Sequence, residues 1–434
     1  MAGKTDNQRS YEYEYEREYP DTDGRNGGGR DKHRWRGFLP GVLAGILVAV
    51  IAVGILFSVT GGAYNAGNPA DAGFGSAVNK VSMNKLSVLE QYIDRYYYKS
   101  SDITKEEREN GIYRGLFESL GDPYSCYFTP EEYRILAEQT QGVYYGIGAY
   151  VSQDVETGAC AVSGVIKNSP AEAAGLMEGD IIYKVDGEDM TGLGVDEVVS
   201  HIRGEEGTKV TVTLIRDGET LDVELTRAKV DTPTVESEML DDGIGRLQIT
   251  EFDDVTVSQF KEKLKELSDQ DMKGLIIDLR GNPGGSVTSV CAIAEQLLPA
   301  GLIFYMEDKD GNRTEYTCKG ADFDLPLVVL VNEYSASASE ILAGAVKDAG
   351  IGKLVGEKTF GKGIVQNVIP LNDGSAIKIT VANYYTRGGS DIHLKGIDPD
   401  VEVKLDAEAY LEDGTDTQLD KAVEVLLEEM GKKQ

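Results

Sequence analysis

Residues 274–298 read GLIIDLRGNPGGSVTSVCAIAEQLL. The run Gly274–Leu279 is short and apolar without a polar face, which reads as a strand covered on both sides. Ser286–Leu298 then has the length and apolar content of a helix, and the glycines between the two make a tight connection. The same alternation repeats on either side. Ile244–Ile249 is a strand and Val257–Leu267 a helix; Leu325–Val331 is a strand, Ser337–Ala349 a helix and Lys353–Gly356 a strand. Apolar strands joined by helices predict an α/β layered core with a largely parallel sheet over residues 230–434.

Working outward, residues 142–229 change texture. Short β-branched runs (Ala149–Val151, Ala161–Ile166, Ile181–Val185, Val210–Ile215, Thr220–Thr226) predict a separate β-rich α+β domain. Ser169-Pro170 can open a one-turn helix that Gly175 stops, and Val195–Ile202 can form another. Residues 81–141 predict a small helical module. Leu86, Leu89, Tyr92, Ile93 and Tyr96 share one helix face, Thr104-Lys-Glu-Glu107 is a capping box, and Thr129-Pro-Glu-Glu opens a third helix. The small, Gly-rich stretch 61–80 reads as a linker.

The chain begins with a membrane segment. Residues 38–60 hold FLPGVLAGILVAVIAVGILFSV, free of charge and long enough to cross a hydrocarbon core of about 30 Å. Arg30, Lys32, Arg34 and Arg36 precede it, so the positive-inside bias keeps residues 1–37 cytoplasmic and puts the remainder outside the cell membrane. A cleaved signal peptide, the rival reading, would have a shorter apolar core nearer the start. The tail holds eight basic and eight acidic side chains, so the whole net charge of −31 belongs to the outward part. Such a charge argues against a duplex nucleic-acid partner. Four separated cysteines and three histidines predict neither a metal site nor a cofactor, and leave little material for a histidine-based triad.

Loops at strand C-termini are where open α/β sheets carry their chemistry. In Asp278-Leu-Arg-Gly-Asn-Pro-Gly284-Gly285 the backbone can approach a ligand and hold an oxyanion; a mere tight turn is the alternative. Asn332-Glu-Tyr-Ser335-Ala-Ser337-Ala-Ser339-Glu340 runs from a strand into a helix, an elbow that can present a hydroxyl. Ser337-x-x-Glu340 is also a capping box, so Ser337 could simply start that helix. Gly356-Glu-Lys358-Thr-Phe-Gly361-Lys362-Gly-Ile-Val-Gln366 offers lysines that are either exposed loop charges or, if buried, a base for serine.

NEYSASASEILAGAVKDAG followed by GEKTFGKGIVQ resembles the carboxyl-terminal processing (tail-specific) serine protease family. SPAEAAGLMEGDIIYKVDG and IRGEEGTKV look like its PDZ domain, and DLRGNPGG, LGDPYSCYFTPEEY and KGIDPD also match. The resemblance spans about residues 84–430. It implies a ClpP/crotonase-like α/β protease core with an inserted PDZ domain. It places the nucleophile at Ser337, the general base at Lys362 and the orienting glutamine at Gln366. The oxyanion donors would be backbone amides of Gly284 or Gly285 and of Ala338. Ser335, Ser339 and Lys358 fall outside the pattern.

The implied enzyme is a serine-type endopeptidase that cleaves polypeptides recognised by their free C-terminal tails. The loop Tyr145-Gly146-Ile147-Gly148 would meet the terminal carboxylate, and the tail would add as a strand. Ile147 and Val151 are expected in the groove, Met177 and Ile181 in the core. Arg203 is a candidate sensor of bound ligand. An activating adaptor and a homo-oligomer are further expectations from the family. Two other classes stay open: a membrane-anchored PDZ binding or scaffold protein without catalysis, and acyl-CoA chemistry of the crotonase kind.

Overall fold

The structure, a computed structural model, describes residues 77–154 and 157–433. The expected tail, membrane segment and most of the linker lie outside the described residues. Among the described residues no helix is long and apolar enough to cross a membrane.

Three helices come first: α1 (Lys80–Tyr96), α2 (Lys105–Glu118) and α3 (Pro130–Gln141), with a short strand β1 (Cys126–Phe128) before the third. The expected caps are present. Thr104 and Thr129 each form a reciprocal capping box, with Glu107 and Glu132. The apolar face expected of α1 is formed but uncovered, since neither α1 nor α2 has a buried residue. The helical stretch is also not a closed module. Strand β1 pairs antiparallel with a long strand of the core, Cys126 opposite Lys378.

A two-stranded ribbon, β2 (Val143–Gly146) with a return strand at Ala228–Asp231, brackets the β-rich segment. Inside it run β3 (Ala149–Gln153), β4 (Cys160–Val165), the one-turn α4 (Pro170–Ala173), β5 (Ile181–Val185), β6 (Glu188–Asp189), α5 (Val195–Ile202), β7 (Lys209–Arg216) and β8 (Glu219–Thr226). The return strand of the ribbon is β9. Strands β3-β4-β5-β7-β8 form one sheet in that order, so β3 is an edge strand. Ile182 is buried and Ile181 is not, because neighbouring strand residues face opposite sides. Met177, in the turn after α4, is 52% exposed. Both residues therefore correct the expectation of ordinary core.

The last segment contains β10 (Val235–Met239), β11 (Ile244–Ile249), α6 (Asp254–Ser268), β12 (Gly274–Asp278), α7 (Val287–Ala294), β13 (Gly301–Asp308), β14 (Arg313–Cys318), β15 (Leu327–Val331), α8 (Ala338–Ala349), β16 (Gly352–Gly356), β17 (Ile364–Pro370), β18 (Ala376–Thr386), β19 (Val401–Glu402), α9 (Ala407–Asp413) and α10 (Thr417–Lys433). The main sheet has the order β10-β11-β12-β15-β16-β19. Only β10 in it is antiparallel. The unbroken hydrophobicity of β12 and β15 has a direct cause. Leu275, Ile277, Val329 and Val331 enter the larger core with α6, α7 and α8. Ile276, Val328 and Leu330 enter a second core under α10, with Ala422, Val425 and Leu426. Each such side chain contributes about 1.5–3 kcal/mol when fully buried.

A second sheet, antiparallel throughout, contains β1, β18, β13 and β14, with β17 also on β18. The largely parallel core expected from sequence is thus half of the arrangement. The antiparallel β17–β18 hairpin carries Gln366 and Lys378, and Lys362 lies two residues before β17.

Candidate active site

Ser337 stands where β15 turns into α8, with φ 56° and ψ −113°. A residue with a Cβ costs about 1–3 kcal/mol there, so the surroundings must hold it. They do. Its amide donates to Glu340 Oε2 at 2.9 Å, and its carbonyl accepts the Tyr384 hydroxyl at 2.9 Å. The Ser337 amide on the Glu340 carboxylate is one arm of the capping box that the spacing predicts. Ser335 and Ser339 are structural: their hydroxyls donate to Leu279 O at 2.8 Å and to Asn282 O at 3.0 Å, stitching the serine loop to the glycine loop.

The glycine loop needs its glycines. A Cβ on Gly284, whose φ is 109°, would lie 2.8 Å from Ser337 Cβ and 2.9 Å from the Ala338 nitrogen. Asn282, fully buried, anchors the turn by donating to Ile249 O and accepting the Gly284 amide at 2.8 Å. The Gly284 N–H is therefore occupied. Among the described residues, the amides of Gly285 and Ala338 have no acceptor. Between the two glycines that the sequence left open, hydrogen bonding favours Gly285.

Beneath the elbow lies Glu340, a buried carboxylate that accepts from four groups. Oε2 takes the amides of Ser337 and Lys362, both at 2.9 Å. Oε1 takes the Thr359 hydroxyl at 2.6 Å and the Gly361 amide at 2.8 Å. Burial pushes the Glu340 carboxyl up, and these donors act in the opposite direction. The pattern S-x-x-E reads as a helix cap from sequence. The structure extends it into the tie between two loops.

Lys362 is 2% exposed and its Nζ has no hydrogen-bond partner. The Nζ lies 4.7 Å from the centre of the Tyr124 ring. Burial first, and the charge of Lys378 second, bring its pKa down to about 8. Gln366 is fully buried; its amide donates to Thr380 Oγ1 at 3.3 Å, while its Oε1 is unpartnered. The contact between Lys362 and Gln366 is thus open in this state, as is any hydrogen bond from Lys362 Nζ to Ser337. Lys358 is exposed and paired with Asp398 at 3.1 Å, in keeping with its place outside the family pattern.

Residues 243–403 match the Peptidase family S41 model, and residues 161–216 match that of the PDZ domain. Carboxy-terminal processing protease CtpA of Bacillus subtilis (strain 168) is 37% identical over 363 residues, 83% of this chain and 76% of that one. The chain belongs to the S41 peptidase family. The carboxyl-terminal-processing protease of Synechocystis sp. (strain ATCC 27184 / PCC 6803 / Kazusa) is 36% identical over 76% of this chain and 79% of its own. Among solved structures, a photosystem II D1 C-terminal processing protease aligns at 30% identity over 75% of this chain and 94% of that one, with TM-score 0.43. This chain is accordingly a carboxy-terminal processing, serine-type peptidase with a PDZ domain.

In this S41 peptidase the candidate tail-binding loop bridges β2 and β3. The Ile147 carbonyl accepts the Ala171 amide at 2.7 Å. The Gly148 carbonyl accepts the Ile166 amide at 2.9 Å and the Ser169 hydroxyl at 3.1 Å. The amides of Ile147 and Gly148 have no acceptor among the described residues. Gly148 cannot be replaced freely, since its φ is 82° and a Cβ would fall 2.1 Å from Ser169 Cβ. The Ile147 side chain corrects an expectation: it is 3% exposed and belongs to the PDZ core, with Val151 packed against that core. Tyr145 and Gly146 lie on the ribbon strand β2. Arg203 is exposed at the end of α5, with its guanidinium 5.5 Å from the centre of the Tyr144 ring.

Sequence reading missed three supports of this peptidase site. The Tyr124 ring lies over Lys362, and beside it the Ser125 hydroxyl donates to Asp122 and accepts the Thr380 amide at 3.0 Å. Asp278, buried at the end of β12, pairs with Arg246 at 2.8 Å and Arg280 at 2.7 Å, and Arg280 reaches Asp416 at 2.8 Å. A cavity of about 180 Å³ behind the glycine loop is lined by Glu251, Asp253, Gly285, Ser286 and Thr232. Burial raises both carboxyl groups, and Glu251 raises Asp253 further. Asp122, Tyr124, Ser125, Asp278 and Arg280 lie in stretches that match the family, but their contacts to Thr380, Arg246 and Asp416 join segments distant in sequence.

Proposed function

We propose that this peptidase cleaves by a Ser-Lys mechanism in which Ser337 is the nucleophile and Lys362 the general base. The observation that carries the reading is the buried, unpartnered Lys362 amine on a loop that Glu340 ties to the Ser337 elbow. Neutral Lys362 takes the Ser337 hydroxyl proton as the oxygen attacks the scissile carbonyl. The Gly285 and Ala338 amides receive the oxyanion. The lysine returns its proton to the leaving amine, giving an acyl-enzyme; water, deprotonated by the same lysine, then releases the new carboxyl end. Gln366 orients the amine once its free Oε1 and the Nζ come together.

The tail would bind with its carboxylate on the Ile147 and Gly148 amides and its backbone along the free edge of β3. Arg203, stacked beside the β2–β9 ribbon, is the candidate that couples tail binding to closure of the Lys362–Gln366 contact. Residues 38–60 anchor the enzyme in the cell membrane with residues 1–37 cytoplasmic and the peptidase outside, as their length and flanking charges suggest. Uncovered apolar residues on α1 and α2, among them Val81, Tyr92 and Leu116, support a homo-oligomer. An activating adaptor is the remaining family expectation.

The test is hydrolysis of a tailed polypeptide by Ser337→Ala and Lys362→Ala, each folded by thermal unfolding. We expect each to lose at least about a thousandfold in kcat/KM, and labelling by a fluorophosphonate to vanish in the serine variant. Substantial cleavage by either folded variant overturns the assignment. Carbonate extraction of membranes tests the anchor: release of the intact chain would contradict it.

A further inference from the structure

Two lysines of the core are almost wholly buried, Lys362 at 2% and Lys378 at 1% exposed, and the proposed chemistry uses only the first. A buried lysine is uncommon because its charged form loses hydration. Lys378 lies on β18, opposite Cys126 of β1 on one side and Val368 of β17 on the other. Its Nζ is 5.5 Å from the centre of the Phe128 ring, as that of Lys362 is 4.7 Å from the Tyr124 ring. Both rings belong to the segment 124–128, so a single cover lies over both side chains. Thr380, two residues along β18 and hence on the face of Lys378, holds the Gln366 amide.

We propose that Lys378 is a positioning residue for the base: its buried ammonium, under the same cover as the Lys362 amine, opposes protonation of that amine. The inference rests on the reading of Lys362 as the base. A like charge in a water-poor site disfavours a second charge, and a lysine beside another cation is one route to a free amine at neutral pH.

The surroundings decide which lysine keeps its proton. After burial, the groups acting on Lys362 are Lys378, which opposes its charge, and Glu340 and Asp122, which favour it. Tyr124 covers it from the loop. After burial, the groups acting on Lys378 are Cys126 and Asp122, both favouring charge. Burial raises the Asp122 carboxyl, but hydrogen bonds from Ser125, Thr380 and Tyr124, with His393 acting in the same direction, hold its pKa below the ordinary value. The Asp122 anion favours charge on both lysines, and their mutual repulsion disfavours a second proton once one of the two carries its own.

The experiment measures the rate of fluorophosphonate inactivation of the full chain in detergent between about pH 5.5 and 10, for wild type, Lys378→Met, Lys378→Gln and Lys378→Arg. Removing the ammonium should move the acid limb upward by about one pH unit, about a tenfold loss of rate at pH 7, and Lys378→Arg should keep the wild-type limb. The read-out is the position of the limb, not the height of the plateau. If Lys378→Met does not fold, Lys378→Gln makes the same measurement. A limb that stays in place in a folded neutral variant, with rates lowered evenly, overturns the proposal and marks Lys378 as structural. Lys362→Ala separates the two failures. Wild-type labelling of that variant refutes the base assignment itself, whereas a silent Lys362→Ala beside an unmoved Lys378→Met limb refutes only the role of Lys378.

Discussion

Ser337 and Lys362, twenty-five positions apart in sequence, donate their backbone amides to the same oxygen of Glu340 at 2.9 Å each. The carboxylate fixes the elbow and the lysine loop against each other without touching either reacting atom. Precise placement of reacting groups is worth orders of magnitude in rate. Glu340 therefore holds the geometry of the site.

Replacing Glu340 by alanine should leave four buried donors without an acceptor. A loss of about 3 kcal/mol or more in stability and about a hundredfold in kcat/KM is expected, with Glu340→Gln in between. Urea unfolding and peptide hydrolysis check this. An alanine variant as stable as wild type would contradict the tie.

Gly284→Ala places a methyl group 2.8 Å from Ser337 Cβ at a φ of 109°. We expect a cost of about 1–3 kcal/mol from the backbone alone and near-complete loss of turnover, since the loop must retreat from the elbow. The variant is read by melting temperature and by burst labelling of Ser337. Normal labelling kinetics would show that the close approach is dispensable.

The pKa of Lys362, lowered to about 8 by burial and then by Lys378, sits below the value of about 10.4 for an unfolded lysine. Between those values the unfolded chain binds the extra proton, so stability should rise with pH across that window. The depression corresponds to about 3 kcal/mol of unfavourable burial of the charged form below pH 8. Lys362→Met should be more stable at pH 7 and lose this part of the slope. A pH-independent difference between the two proteins would refute the assignment.

Glu251 and Asp253 behave in the opposite sense. Burial raises both acids, so the folded chain keeps protons that the unfolded chain has lost, and their stabilising effect disappears as pH climbs from the ordinary carboxylate range toward neutrality. Glu251→Gln should flatten that decline and gain about 1–3 kcal/mol at pH 8 relative to wild type. Chemical denaturation at pH 5 and pH 8 decides it; identical slopes in the two proteins would count against a shared buried charge.

Much of the fold was legible because its signals are local. The caps at Thr104, Thr129 and Ser169, the buried strands at Gly274 and Leu327, and the elbow after β15 each follow from residues within a few positions of one another. The antiparallel sheet was not legible as a sheet. Its strand β18 alternates Ala376, Lys378 and Thr380 inward, and a lysine at an inward position reads as exposure until the cover from residues 124–128 is known.

The sequence by itself determined the alternation of strands and helices, the glycines that permit close approach, and the family motif around Ser337, Lys362 and Gln366. Only the tertiary structure decided that Lys362 is buried while Lys358 pairs with Asp398 in solvent. It also decided that the Gly284 amide is engaged while that of Gly285 is free among the described residues, and that Ile147 fills a core. The reason is physical. Burial, desolvation and hydrogen-bond satisfaction belong to the space between segments distant in sequence, and two lysines in similar glycine-rich surroundings acquire different chemistry only when one of them loses its water.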